Sequence, residues 1–347
     1  MENAVRRQVL FYDVTAPFNY TYATLQERAL GGVEATVLRV AHALSCYHDV
    51  YIAQRGRLVL ENQFAQGVHY VSLVTANQLH PDVVVLLRQS NWLERIGELF
   101  PAAQHYFWMH NLPPKNLSAS LPALVKYGYE IIAVSQFHRK EIENRLRPWY
   151  SKFSRYRQAS TPVSVIYNPI EDELVPDTNI TWNPQQMISL CAPYKGLTMT
   201  LDLFDKVLAL FPQTQLLVCY PYGELDKSML AKNVQVLGMI AYYQMIQYVR
   251  SSFCVFYPQT SRVETFGLIY AQSNAVGTPV LAHDFGAASE VLNNPEQLVD
   301  GRDVKSVLDK LTAWHLARPI VSAKHAFRLS QVTQSWLQLL APEGQNQ

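Results

Sequence analysis

A chain of 347 residues, 49% apolar and 16% charged, is long enough to bury two cores, and its 12% aromatics are the opposite of a disordered composition. Its 29 basic and 28 acidic side chains sum to +1, which excludes bulk electrostatic attraction to nucleic acid. No apolar run reaches the roughly 18 residues of a membrane-crossing helix, and the N-terminus lacks the apolar stretch of a signal peptide, so a reducing cytoplasmic setting is expected. The four cysteines, Cys46, Cys191, Cys219 and Cys254, have no metal-knuckle spacing and read as small buried hydrophobes.

Val9–Val14 reads as a first strand, and Val33 to Ser45 as a helix with Val33, Val37, Val40, Ala41 and Leu44 on one stripe. Strands follow near Val50–Ala53, Val68–Leu73, Val83–Leu87, Tyr106–Met109, Ile131–Val134 and Val163–Tyr167, with helices at Asn91–Leu99 and Gln136–Leu146. After a polar stretch, Glu171 to Pro184, the alternation restarts. Strands are expected at Met187–Cys191, Leu216–Cys219, Val234–Leu237, Phe253–Tyr257 and Pro279–Ala282. Helices are expected at Leu197–Leu210, Tyr242–Arg250 and Phe266–Val276. Near-continuous apolar strands alternating with helices imply parallel sheets covered on both faces. Two such series imply two doubly wound domains facing across a cleft, with ligands at the carboxyl ends of the strands.

Glycine is scarce, 14 residues in all, so the one Gly-Gly pair, Gly31-Gly32, stands out just before the first helix. Bare backbone at a helix start lets an anion approach unpaired N–H groups; an ordinary loop turn is the plainer reading. The pattern is neither a GxGxxG fingerprint nor a Walker A loop. Lys195, between a strand and a helix, could neutralise a diphosphate or be a solvated loop lysine. Glu264 stands where a strand gives way to a helix, with the N–H groups of Phe266, Gly267 and Leu268 beyond it. Glu264 could instead simply satisfy a helix dipole. Gln272, eight residues on, would lie about 12 Å further along a continuous helix and about 80° around it, spaced to hold the other end of an extended ligand; alternatively it is an exposed helix residue. His110 closes a strand before Leu112-Pro113-Pro114, where it is either cleft chemistry or structure.

In order, Gly31-Gly32-Val33-Glu34, Phe107–Asn111, Ile132–Ser135, Val165–Ile170, Lys195-Gly196-Leu197, Val236-Leu237-Gly238, Glu264–Leu268 and Ala275–Val280 resemble the retaining, metal-independent glycosyltransferases of family 4, which have the GT-B fold. The resemblance covers residues 8 to about 292. It implies an α/β GT-B protein with two Rossmann-like domains. Residues 1–170 would form the acceptor-side domain, 171–325 the nucleotide-sugar domain, and 326–347 a C-terminal helix packing back on the first domain. It implies a retaining transferase that moves a sugar from a UDP- or GDP-linked donor to a glycan or lipid-linked acceptor without a metal. Glu264, Lys195 and His110 would be catalytic: Lys195 on the diphosphate, Glu264 on sugar hydroxyls, His110 near the sugar and acceptor. Gly31, Gly32, Phe266, Gly267 and Leu268 would surround the phosphates, Gln272 the ribose, and the backbone at Met239 the base.

Two departures stand out. The family usually has arginine where this chain has Ser189, and a second glutamate where it has Gln272. Arg262 could supply the missing cation. Ser189 also leaves open a catalytically impaired sugar-nucleotide-binding partner or scaffold; another GT-B enzyme, a phosphorylase or epimerase, is a third reading.

Residues 139–157 hold Arg139, Lys140, Arg145, Arg147, Lys152, Arg155 and Arg157 against Glu141 and Glu143, seven cations minus two carboxylates or +5, interleaved with Trp149, Tyr150, Phe153 and Tyr156. Such a segment suits peripheral contact with an anionic membrane at its inner face. A solvated segment whose aromatics pack on the first domain, with Pro148 breaking its helix, and an anionic-acceptor site are the alternatives.

Overall fold

The computed structural model describes residues 6–152, 161–220, 230 and 232–341. The chain divides into two units, one of residues 1–22, 33–169 and 329–347, the other of 23–32 and 170–328.

The first unit is built on eight strands: β1 (Gln8–Asp13), β2 (Asp49–Gln54), β3 (Gln63–Ala65), β4 (Val68–Ser72), β5 (Val83–Leu87), β6 (Gln104–Trp108), β7 (Glu130–Ala133) and β8 (Val163–Val165). Their order is β3-β4-β2-β1-β5-β6-β7-β8. All neighbours are parallel except β3, which runs antiparallel to β4. Every residue of β5, Val-Val-Val-Leu-Leu, is buried, as a central parallel strand covered on both faces requires. The strand order reverses between β1 and β5, so their carboxyl ends, Asp13 and Leu87-Arg88, flank this unit's switch point. The C-terminal helix Leu329–Leu339 belongs to this unit. Trp336 is fully buried there, its ring 4.7 Å from that of Trp108 and 5.8 Å from that of Phe11.

The second unit holds β9 (Asn183–Ser189), β10 (Gln215–Cys219), β11 (Val234–Gly238), β12 (Ser252–Tyr257), β13 (Val280–His283) and β14 (Leu298–Val299), in the order β11-β10-β9-β12-β13-β14 and all parallel. Its switch point lies between β9 and β12. The long segment of this unit begins at Ile170 and ends at Arg328, and the two positions are bridged: Ile170 N–H donates to Phe327 O at 2.9 Å.

The structure corrects the sequence reading at several points. Pro148 does not break its helix, which runs Gln136–Lys152. Proline removes the N–H that would meet the carbonyl four residues back and crowds that carbonyl, which can kink a helix without ending it. Beyond it Trp149 and Tyr150 pack on the first unit's core, and Tyr150 Oη accepts the N–H of Thr161 at 3.0 Å. Phe153, Arg155, Tyr156 and Arg157 lie outside the described residues, as does the side chain of Lys152. Cys46 is exposed in the turn after the helix Gly32–Leu44, while the other three cysteines are buried. The helix expected from Phe266 starts at Leu268, because Gly267 takes a left-handed φ of 80° that interrupts the regular helix geometry before Leu268. Strand β3, the helix Val304–Leu316 and the segment 23–32 grouping with the second unit were not anticipated. Among the described residues no helix is long and apolar enough to cross a membrane.

Candidate active site

In the second unit, β9 ends at Ser189 and the chain passes through a short turn, Pro193–Lys195, into the helix Leu197–Leu210. Gly196 joins turn to helix at φ 93°, a left-handed conformation that favours glycine, and a Cβ there would fall 2.4 Å from Ser261 Oγ, so the serine hydroxyl would have to move. The geometry carries Lys195 to Glu264, with Nζ donating to Oε1 at 2.9 Å. The same oxygen accepts Tyr257 Oη–H at 2.8 Å from the end of β12. Glu264 is further fixed by its backbone carbonyl, which accepts the N–H of Ala287 at 3.0 Å. Two donors on Oε1 leave Oε2 as the carboxylate's remaining acceptor.

Burial alone would lower the Lys195 pKa, but the Glu264 carboxylate more than offsets it and holds the ammonium charged above its ordinary range. Burial first, then the same carboxylate, drives Tyr257 well above the usual phenol range, so it remains a donor. The pair sits at the carboxyl ends of β9 and β12, the switch point of this sheet.

The loop between them is folded around a fully buried glutamine. Gln259 Oε1 accepts the N–H groups of Ser261 (3.0 Å) and Arg262 (2.9 Å), and its Nε2 donates to Arg262 O at 2.7 Å. Arg262 itself is exposed. Ser189 is wholly buried, its hydroxyl without a protein partner among the described residues. Gly267 admits no side chain, since a Cβ would lie 2.5 Å from the Tyr270 ring. Gly31 and Gly32 group with this unit, and a Cβ on Gly32 would meet Leu268 Cδ1 at 3.2 Å. Met239 is exposed just past β11. Gln272 is buried, 6% exposed, which corrects its reading as a solvent-facing helix residue. The backbone becomes helical only at Leu268, so the continuous-helix spacing from Glu264 does not apply.

The first unit carries a second polar cluster, which the sequence reading missed. Arg88, just past β5, donates through Nη2 to both oxygens of Asp13 at 3.0 and 3.1 Å, and its Nη1 lies 3.1 Å from Glu34 Oε1. Asp13 is fully buried and also accepts Tyr20 Oη–H at 2.8 Å and the N–H and hydroxyl of Thr15. Arg88 has φ 64°, a left-handed conformation that costs a non-glycine residue about 1–3 kcal/mol and persists only when its surroundings over-determine it. Here the two carboxylates do so. His110, past β6, is 6% exposed, with its ring 4.6 Å from that of Trp108. Burial first, then the charges of Arg88 and His138, push its pKa well below the ordinary 6.5, so it is neutral at pH 7. The sequence held faint signals for this cluster: an aspartate ending the first strand, a glutamate in Gly31-Gly32-Val33-Glu34, and an arginine ending an apolar strand. Among the described residues no group of three or more His, Cys, Asp or Glu side chains is gathered as a metal site would need.

Residues 187–327 match the family described as glycosyl transferases group 1. The phosphatidyl-myo-inositol mannosyltransferase of Mycobacterium tuberculosis is 32% identical over 109 residues, a match covering 30% of this chain and 28% of that protein. The GDP-mannose-dependent monoacylated alpha-(1-6)-phosphatidylinositol monomannoside mannosyltransferase of Corynebacterium glutamicum is 28% identical over 135 residues, 35% of each chain. This chain therefore matches about a third or less of either relative's length. In structure, sucrose-phosphate synthase from Thermosynechococcus elongatus superposes with a TM-score of 0.67 at 16% identity, over 97% of this chain and 95% of that one. Two Rossmann-like units in one chain and a full-length structural likeness make this a chain of GT-B fold, and residues 187–327, most of its second unit, resemble the group 1 glycosyl transferases.

Proposed function

We propose that the protein is a glycosyltransferase that moves a sugar from a nucleoside diphosphate sugar to an acceptor hydroxyl, retaining the anomeric configuration and requiring no metal. The observation that carries this reading is the Lys195–Glu264 pair, 2.9 Å apart at the switch point of the sheet that matches the group 1 family. When the bond between the sugar's anomeric carbon and the phosphate breaks, negative charge grows on the departing diphosphate. A permanently charged Lys195 and the N–H groups of Phe266, Gly267 and Leu268 are suited to stabilise that charge in the transition state. Glu264 Oε2 is free to accept a sugar hydroxyl. Gly31 and Gly32 let phosphate approach bare backbone, Gln272 takes the ribose, and the backbone at Met239 borders the base. Arg262, exposed on its loop, can swing toward the diphosphate where Ser189 offers no cation. The acceptor proton passes to the departing phosphate oxygen as the new glycosidic bond forms. His110, in the first unit, is neutral and can donate or accept a hydrogen bond but contributes no charge.

GDP or UDP is the nucleotide, and the relative that names its donor uses GDP-mannose. A lipid-linked or glycan acceptor is the reading we take, and the phosphatidylinositol-directed relatives support its lipid-linked form. Arg147 and Lys140 are exposed on the helix Gln136–Lys152 and would meet an anionic membrane surface holding such an acceptor. The test is the product formed from GDP- and UDP-sugars in the presence of EDTA, with its anomeric configuration read by NMR. Retention under chelation is expected. Inversion, or activity recovered only on adding manganese, contradicts the reading.

A further inference from the structure

We infer that Glu171 and Tyr242 are positioning residues that fix the amide of Gln272 as a hydrogen-bond acceptor, giving the site an uncharged ribose-reading oxygen. The inference rests on the nucleotide-sugar reading above and adds two residues to that site. Three side chains from three separate segments of the second unit form a line. Tyr242, the first residue of the helix Tyr242–Ser251, donates Oη–H to Glu171 Oε2 at 2.8 Å. Gln272 Nε2, from the helix Leu268–Ala275, lies 3.5 Å from the same phenol oxygen.

The direction of this line is set by chemistry. An ionised carboxylate only accepts, so the single phenol proton of Tyr242 is committed to Glu171. Toward Gln272 the phenol then offers only a lone pair. Of the two ends of the amide, only the NH2 end is compatible with that lone pair, so Oε1 is turned the other way. Without the carboxylate at 171, the phenol proton could point at Gln272 and either end of the amide would be tolerated. A buried glutamine with its orientation fixed in this way presents an acceptor oxygen, as a glutamate does, but without a charge. The hydroxyls of a ribose are donors that such an oxygen can take.

The backbone under Glu171 is braced. Arg328 Nη1 donates to the carbonyls of Glu171 at 3.0 Å and of Leu174 at 2.8 Å. The neighbouring Ile170 is bridged to Arg328. Glu171 thus has a fixed base from which to hold Tyr242.

The test is titration calorimetry of the full chain with GDP and UDP and with the 2′-deoxy and 3′-deoxy forms of each. The native protein is expected to bind a ribonucleotide at least about tenfold more tightly than one of its deoxy forms. Tyr242→Phe and, separately, Glu171→Gln should shrink that preference to within about threefold by weakening the ribonucleotide, leaving the deoxy form's affinity nearly unchanged. Adding Gln272→Glu to the Tyr242→Phe chain should restore the preference, because a carboxylate accepts through either oxygen. A general loss of packing would weaken ribo and deoxy forms alike and would not be rescued in this way. Native preference retained in both single variants, or no rescue by Gln272→Glu, overturns the inference while leaving the nucleotide-sugar reading intact. Native protein that binds neither GDP nor UDP overturns both.

Discussion

Lys195 and Glu264, 69 residues apart in the sequence, meet at 2.9 Å because β9 and β12 are neighbours in the second sheet and both chains turn toward the same gap as they leave it. In the proposed reaction the pair would set opposite charges against a leaving diphosphate and a sugar hydroxyl. Its geometry depends on tight backbone as much as on charge.

That dependence is testable at Gly196. Alanine there is forced to φ 93° and drives a Cβ to 2.4 Å from Ser261 Oγ. The expected cost is about 1–3 kcal/mol, with weaker nucleotide binding because Lys195 shifts with the turn. Removing the opposing hydroxyl with Ser261→Ala should recover part of the stability but not the backbone component. Urea denaturation of the single and double variants measures both; a Gly196→Ala chain as stable as the native one would contradict the close contact.

In the first unit, Arg88→Met leaves the buried Asp13 and Glu34 facing no cation. Breaking such a pair from one side costs about 3–5 kcal/mol. Loss of the Arg88 charge also removes one of the influences that depress His110, so the His110 ring should titrate at a higher pH than in the native protein. NMR of the imidazole protons against pH follows this directly. An unchanged titration would mean that burial and His138 account for the depression without Arg88.

Stability should fall on acidification below the ordinary histidine pKa. His138 is pushed down to about 4, chiefly by burial, and His110 is lowered as well. His138 Nδ1 accepts the N–H of Val134 at 3.3 Å while Nε2 lies 2.8 Å from Asn111 O, a pairing only the neutral ring can make. Below pH 6.5 the unfolded chain takes up protons that the folded one refuses. Stability is therefore full above 6.5 and declines as pH falls toward about 4, by up to about 1.4 kcal/mol per pH unit for each such ring. Urea midpoints at pH 7, 6 and 5 for the native chain and His138→Gln should show a shallower decline in the variant. Parallel pH profiles would rule His138 out as a source.

The strands were legible because buried parallel strands leave uninterrupted apolar runs, such as Val83–Leu87 and Phe253–Tyr257. Glu264 and Lys195 stood out because each is a charged residue in the short stretch joining such a run to the next helix. The start of the helix at Leu268 was not. Thr265 and Phe266 continue a helical pattern of side chains, and only the left-handed backbone at Gly267 interrupts it. The cluster of Asp13, Glu34 and Arg88 was hidden for another reason. Its members come from separate elements, and a charged residue after a strand reads as a solvated cap until the fold brings its partner across. Glu171 was obscured in the same way, inside a polar stretch that reads as a linker.

The most direct measurement is release of nucleoside diphosphate from a panel of GDP- and UDP-sugars in EDTA, comparing the native chain with Glu264→Ala at matched folded concentration. The expected result is turnover of at least one donor by the native protein and a rate about 10²–10³-fold lower in the variant, whose melting temperature stays within a few degrees. Equal rates in the two proteins, or no native turnover of any donor, would contradict the assignment of the Lys195–Glu264 pair as the donor site.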